Sequence, residues 1–118
     1  MSYPFDLDGE TVWDAGYHTG QMYISLACSA AERLELRTGL MPNDQGGCDI
    51  ELPAFQAFVE GLYDSYSSTR NPVLHGMIRG LLIASLILLE QAGASIALKP
   101  EHEDAFWEEK VDFGRAMG

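Results

Sequence analysis

The chain has 118 residues, 47% of them hydrophobic and 21% charged, with 18 acidic against 7 basic side chains and a formal net charge of -11. This size fits one compact domain, 1-118, that can bury a core without metals or crosslinks. The charge repels nucleic-acid phosphates and anionic membrane surfaces, and it suits plain solubility or basic partners.

In chain order, Phe5-Asp6-Leu7 and Thr11-Val12-Trp13 flank Asp8-Gly9-Glu10. Asp-Gly between short apolar runs predicts a β-hairpin, because the turn needs positive φ. A calcium loop counted from Asp6 needs glycine at its sixth position and glutamate at its twelfth. Those positions hold Thr11 and Tyr17, so the acids read as turn chemistry. A first helix is predicted from His18 to Leu36, with Met22, Tyr23, Leu26, Ala27, Ala30 and Leu34 as its apolar stripe and Thr38-Gly39 as its stop. Met41 to Gly47 is a loop. Cys48 to Leu52 is a short extended piece placed to pair with the hairpin.

Pro53 suits the first position of a second helix, whose stripe is Phe55, Phe58, Val59, Leu62, Tyr63 and Tyr66. Asn71 caps and Pro72 opens a third helix to Gln91, apolar nearly all round, which predicts an enclosed central helix. Its longest apolar run, Leu81 to Leu89, is about half of the roughly 20 residues that a bilayer span needs. Gly93 ends it. Ser95 to Lys99 is a candidate strand. Pro100 opens a charged fourth helix to Met117, with Phe106, Trp107, Val111 and Phe113 as its apolar contacts. The expected fold is mostly α: about four helices around the third, with a small N-terminal β-hairpin.

Few residues point to chemistry. His75 and Arg79 lie one turn apart on the third helix. A buried arginine must be paired, so a structural ion pair is the favoured reading, and an anionic ligand the sharper one. With Tyr63, Tyr66 and Asp49 they are the candidate residues for a ligand pocket beside the third helix. Gly76, Gly80 and Ala84 repeat at four-residue spacing, which admits a close helix backbone, either inside the fold or across a homodimer seam. Cys28 reads as a core residue and Cys48, after Gly46-Gly47, as exposed. No Cys-x-x-Cys, Glu-x-x-His, Gly-x-Ser-x-Gly or glycine-rich phosphate loop occurs, so no metal, cofactor or catalytic residue is assigned. An N-terminus without basic and apolar signal regions favours the cytoplasm.

Thr38-Gly39-Leu40, Cys48-Asp49-Ile50, Phe55-x-x-Phe58-Val59 and Pro72-Val73-Leu74, with Val12-Trp13 near the start and Arg115-Ala116-Met117 near the end, give a further handle. Together they resemble a family of small actinobacterial proteins classed as a domain of unknown function. The resemblance implies a bacterial cytoplasmic setting and carries no activity, cofactor or site residue.

The first functional expectation is an acidic protein-interaction module, of which an immunity- or antitoxin-like protein masking a basic toxin surface is one form. Asp6, Asp8, Glu10 and Asp14, with Glu101, Glu103, Asp104 and Glu108, are its candidate partner-binding residues. A small-molecule binder or small enzyme, and a homodimeric structural protein, are the alternatives.

Overall fold

The computed structural model describes residues 1–117. Its elements in chain order are β1 Ser2–Leu7, β2 Glu10–Gly16, α1 Tyr17–Leu34, β3 Leu40–Pro42, β4 Cys48–Ile50, α2 Leu52–Ser68, α3 Pro72–Gln91 and α4 Pro100–Met117. The fold is mostly α, as expected, but the N-terminal β element is larger than a hairpin. β1 and β2 pair antiparallel around Asp8 and Gly9, both at positive φ, which is the turn that Asp-Gly specifies. β4 then joins β1 in parallel, and β3 closes the far edge antiparallel to β4, in the order β2-β1-β4-β3.

The connection between α1 and β3 explains the added strand. α1 stops earlier than expected, at Leu34, where Glu35 takes the left-handed conformation and Leu36 N–H closes back on the Ala31 carbonyl. Thr38-Gly39 therefore serves the sheet and not the helix end. Gly39 lies at φ 73, and a Cβ there would sit 2.4 Å from the Phe55 backbone nitrogen. Its carbonyl accepts from Glu51 N–H at 2.7 Å, fastening β3 to the start of α2.

The sheet packs on α1 through an aromatic cluster. Phe5 stacks on Trp13 at 4.7 Å, and both rings meet Tyr23 edge-on. The Tyr23 hydroxyl reaches Ser85 Oγ of α3 at 2.8 Å inside the core, so both buried hydroxyls are satisfied. On α2 all six stripe residues, Phe55, Phe58, Val59, Leu62, Tyr63 and Tyr66, are buried. Asn71 caps α3 with Oδ1, accepting from Val73 N–H at 2.9 Å and Leu74 N–H at 3.2 Å. α3 has neighbours in α1, α2, α4 and β2, as a central helix should.

Six expectations need correction. Only the second half of α3, Leu82 to Leu89 apart from Ala84, is fully enclosed; from Pro72 to Gly80 it runs along the surface. By length and composition α3 also matches a membrane span, although the sequence's uninterrupted apolar run is half that long. On α1 the buried side is Gly20, Tyr23, Ile24, Ala27 and Ala31, so Met22 and Leu26 of the predicted stripe are exposed. The two cysteines exchange roles: Cys28 is exposed, whereas Cys48 is buried under the sheet, where loss of hydration pushes its thiol up to about 12. Ser95 to Lys99 forms no ladder; the Ser95 carbonyl accepts from Gln56 and the Lys99 N–H donates to Tyr63 instead. Finally, Trp107 stands in solvent at 69% exposure and makes no core contact of the kind expected, while its neighbour Phe106 is buried.

Candidate functional site

The structure brings together four of the five residues expected around a ligand pocket. Tyr63 and Tyr66 come from α2, His75 and Arg79 from α3, and α4 adds His102, Phe106 and Glu109. Arg79 is fully engaged. Its Nε donates to Glu109 at 2.7 Å, Nη1 to the Tyr66 hydroxyl at 2.9 Å, and Nη2 to the Ala105 carbonyl at 2.9 Å, with the guanidinium 5.0 Å from the Phe106 ring centre. Glu109, and then Tyr66, hold its pKa above the ordinary arginine value. The Tyr63 hydroxyl accepts from Lys99 N–H at 2.8 Å and meets His102 Nδ1 at 2.6 Å. His75 lies against Tyr66 with ring centres 3.8 Å apart. These polar groups clasp three helices to one another, and Arg79 has no donor nitrogen left without a protein partner. Asp49 is not part of the group: it lies exposed on β4, 3.4 Å from Asn43 Nδ2.

Open space lies elsewhere on α3. Two cavities, of about 730 Å³ and 460 Å³, share Leu26, Gly80, Leu81 and Phe113 and so run into one another. They form one apolar groove with α1 as a wall, α3 as the floor, and α2 and then α4 on the other side. The groove exists because α1 carries two apolar stripes and the fold covers only one. Along its α3 side Leu74 and Met77 project into solvent, Met77 at 71% exposure, and Val73, one turn before Met77, is exposed beyond the lining. A Cβ added at Gly76 or Gly80 would meet nothing within 4 Å. The small-residue row therefore has no helix of this chain against its two glycines.

A second cleft, of about 440 Å³, opens between α4 and the segment after α3. Leu86, Ile96 and Leu98 form its apolar floor, and Trp107, Glu103 and Asp104 its rim. Lys110 also borders it, with Nζ held 2.6 Å from Glu90 Oε1. Glu101 and Glu108 are exposed on the same helix. Of the N-terminal acids, Asp8, Glu10 and Asp14 are exposed on the hairpin, and Asp6 accepts from Thr11 Oγ1 at 2.6 Å.

The model of a family of unknown function, DUF6086, matches residues 1–118. The chain belongs to that family. No curated protein and no solved structure matches it. DUF6086 membership covers the whole chain and assigns no residue a role, so roles must be argued from geometry alone. In this DUF6086 member the sequence marks Trp107 only as an apolar contact of the fourth helix and gives Met77 and Val73 no place in a site. A signal for the first was present: Phe106 and Trp107 are adjacent on a helix and cannot both face inward. For the other two, an apolar helix with a glycine every fourth residue reads equally as buried or as unpartnered.

Proposed function

We propose that the chain is an acidic protein-interaction module that binds a basic protein partner through the Trp107 cleft. The observation that carries this is a large aromatic side chain held in water beside Glu103 and Asp104 over an apolar floor. Tryptophan is the residue most enriched among binding hot spots, and its ring face attracts lysine and arginine. Carboxylates beside it add charge-assisted hydrogen bonds to the same cations. The floor of Leu86, Ile96 and Leu98 suits the aliphatic stem of such a side chain. The remaining acids, among them Asp8, Glu10 and Asp14, contribute a long-range field that speeds encounter with a positive surface. Masking of a basic protein in the bacterial cytoplasm, in the manner of an immunity or antitoxin protein, is the specific role that suits this chemistry.

Fluorescence titration tests the reading, since Trp107 is exposed and Trp13, the second tryptophan, is buried. Short arginine-rich and lysine-rich peptides at low salt should change the Trp107 emission saturably, with affinity falling steeply as salt rises. Trp107→Ala and the pair Glu103→Lys and Asp104→Lys should each lower affinity at least tenfold. Absence of binding at low salt, or binding indifferent to all three changes, refutes it.

A further inference from the structure

We propose that the apolar groove is a homodimer seam, in which a second copy of this chain seats its own α3 across Gly76 and Gly80. This goes beyond the Trp107 cleft and uses a different face, so either reading can fail without the other. An isologous contact needs projections and hollows on one surface, since the same patch must meet itself. α3 supplies both. Val73 and Met77 project, and the bare backbone at Gly76 and Gly80, one turn apart, runs beside them, open to close approach by another helix. Across a two-fold axis at the glycines, Met77 of each copy points to the larger cavity of the other.

Charge favours a second copy over a basic partner here. No carboxylate occurs from Ala15 to Ala31 or from Ser65 to Leu89, the stretches that supply the α1 wall and the α3 floor. Two chains at net charge -11 repel on most approaches, and along the α1 wall and the α3 floor they meet without acid against acid, the carboxylate that lines the groove, Asp112, lying on α4. Arg33 lines one end of the groove. Asp112 lines the other, with Arg115 3.9 Å from it.

The area is also of the right order. Val73, Leu74, Met77, Met22 and Leu26 are exposed by 43% to 71%. Together they leave on the order of 500 Å² of apolar surface open, the scale of the largest patch on a typical monomer. With the glycines, Ala30 and a polar rim this approaches the roughly 800 Å² that each partner gives to a stable complex.

Sedimentation equilibrium of the full chain from about 1 to 100 µM decides the matter. The expected result is a mass shifting from 13.0 kDa towards twice that value. Met77→Glu, which puts a carboxylate in the seam, should weaken the dimer at least tenfold. Gly80→Leu should do the same while keeping the monomer folded, because its side chain enters open space, and circular dichroism verifies this. Trp107→Ala should leave the dimer intact. A wild-type chain that stays monomeric throughout, or a dimer that tolerates both substitutions, overturns the proposal. So does a monomeric chain that floats with phosphatidylcholine vesicles through this face, which would make lipid its occupant.

Discussion

Replacing Arg79 with methionine removes the guanidinium but keeps most of the aliphatic stem, so it isolates what the polar clasp contributes. Two hydrogen bonds, to the Tyr66 hydroxyl and the Ala105 carbonyl, are lost at about 1 kcal/mol each. The ion pair with Glu109 is partly exposed on both sides, so solvent screening limits it to about 0.5 kcal/mol. The cation over the Phe106 ring adds roughly 0.5 kcal/mol at such a site. Methionine packing against the aromatic rings offsets part of the loss, leaving a destabilisation of about 2 kcal/mol. In a chain of this length that lowers Tm by roughly 6–12 °C. Urea unfolding followed by circular dichroism measures it directly as a shift in midpoint at constant slope. Glu109→Gln, which keeps a hydrogen-bond acceptor and removes the charge, should cost no more than about 0.5 kcal/mol. A midpoint unchanged by Arg79→Met would refute the clasp and return Arg79 to the pool of residues free to hold an anion.

Two further tests address the helix cap and the cysteines. Asn71→Ala removes the acceptor for two α3 N–H groups and should cost about 1 kcal/mol, read in the same urea assay. A thiol reagent at mildly alkaline pH should label Cys28 quickly and Cys48 only on unfolding, the reverse of what their sequence neighbourhoods suggest. The buried thiol also sets a pH dependence. Its folded pKa is raised above the usual value of 9.0 to about 12, so the unfolded chain releases this proton first. Stability from this group is complete below pH 9 and declines as pH rises towards 12, at up to about 1.4 kcal/mol per pH unit. The buried Tyr23 hydroxyl, also pushed up by burial, adds a decline of the same sign above pH 10, so the Cys48 contribution is read between pH 9 and 10. Cys48→Ala should flatten the profile in that window; an equally steep one there would refute the assignment.

Much of the fold is legible in the sequence where one physical rule acts alone. On α2 the apolar residues occupy a single stripe and the polar residues the other side, and every stripe residue is buried. Asn71-Pro72 marks a helix start through cap chemistry that depends on nothing distant. Asp8-Gly9 marks a turn for the same reason. Legibility fails where two rules compete. On α1, Met22, Leu26 and Ala30 lie beside Tyr23, Ala27 and Ala31, and periodicity cannot say which row the sheet covers. The choice falls to long-range partners: Tyr23 has Phe5, Trp13 and Ser85 to meet, and Cys28 is turned outward as a consequence. The extended piece at Cys48 is legible, and as β4 it pairs with the hairpin strand β1 as expected. β3 is hard to see for a related reason: it is three residues long, and the close approach of Gly39 to α2 is a tertiary fact that a Thr-Gly pair does not reveal. The site residues divide in the same way. Arg79 is legible as a paired cation because a charge on an apolar helix is costly without a partner, whereas no spacing in the sequence ties Asp49 to that group.

The same competition explains why α3 has two halves. From Leu82 onward it is covered by α2, α4 and the sheet, and this burial holds the helix in place. Before Leu81 it keeps the same apolar composition with far fewer contacts, secured by the Asn71 cap at one end and the Arg79 clasp at the other. The exposed fractions of Val73, Leu74, Met77, Met22 and Leu26 amount to nearly three whole side chains. At about 1.5–3 kcal/mol for each whole side chain buried, a monomer forgoes roughly 4–8 kcal/mol. Two copies meeting through this face recover about twice that, against an association cost of about 4–15 kcal/mol. Even the largest balance these ranges allow, about 12 kcal/mol, falls short of the roughly 16 kcal/mol of a picomolar complex, so the dimer is a reversible one. The open face also predicts which substitution separates the two halves: Gly80→Ala should stabilise the monomer by about 0.5–1 kcal/mol through helix propensity while weakening the dimer. A single methyl group acting with opposite sign on the two equilibria is an outcome that neither a buried α3 nor an idle surface would give.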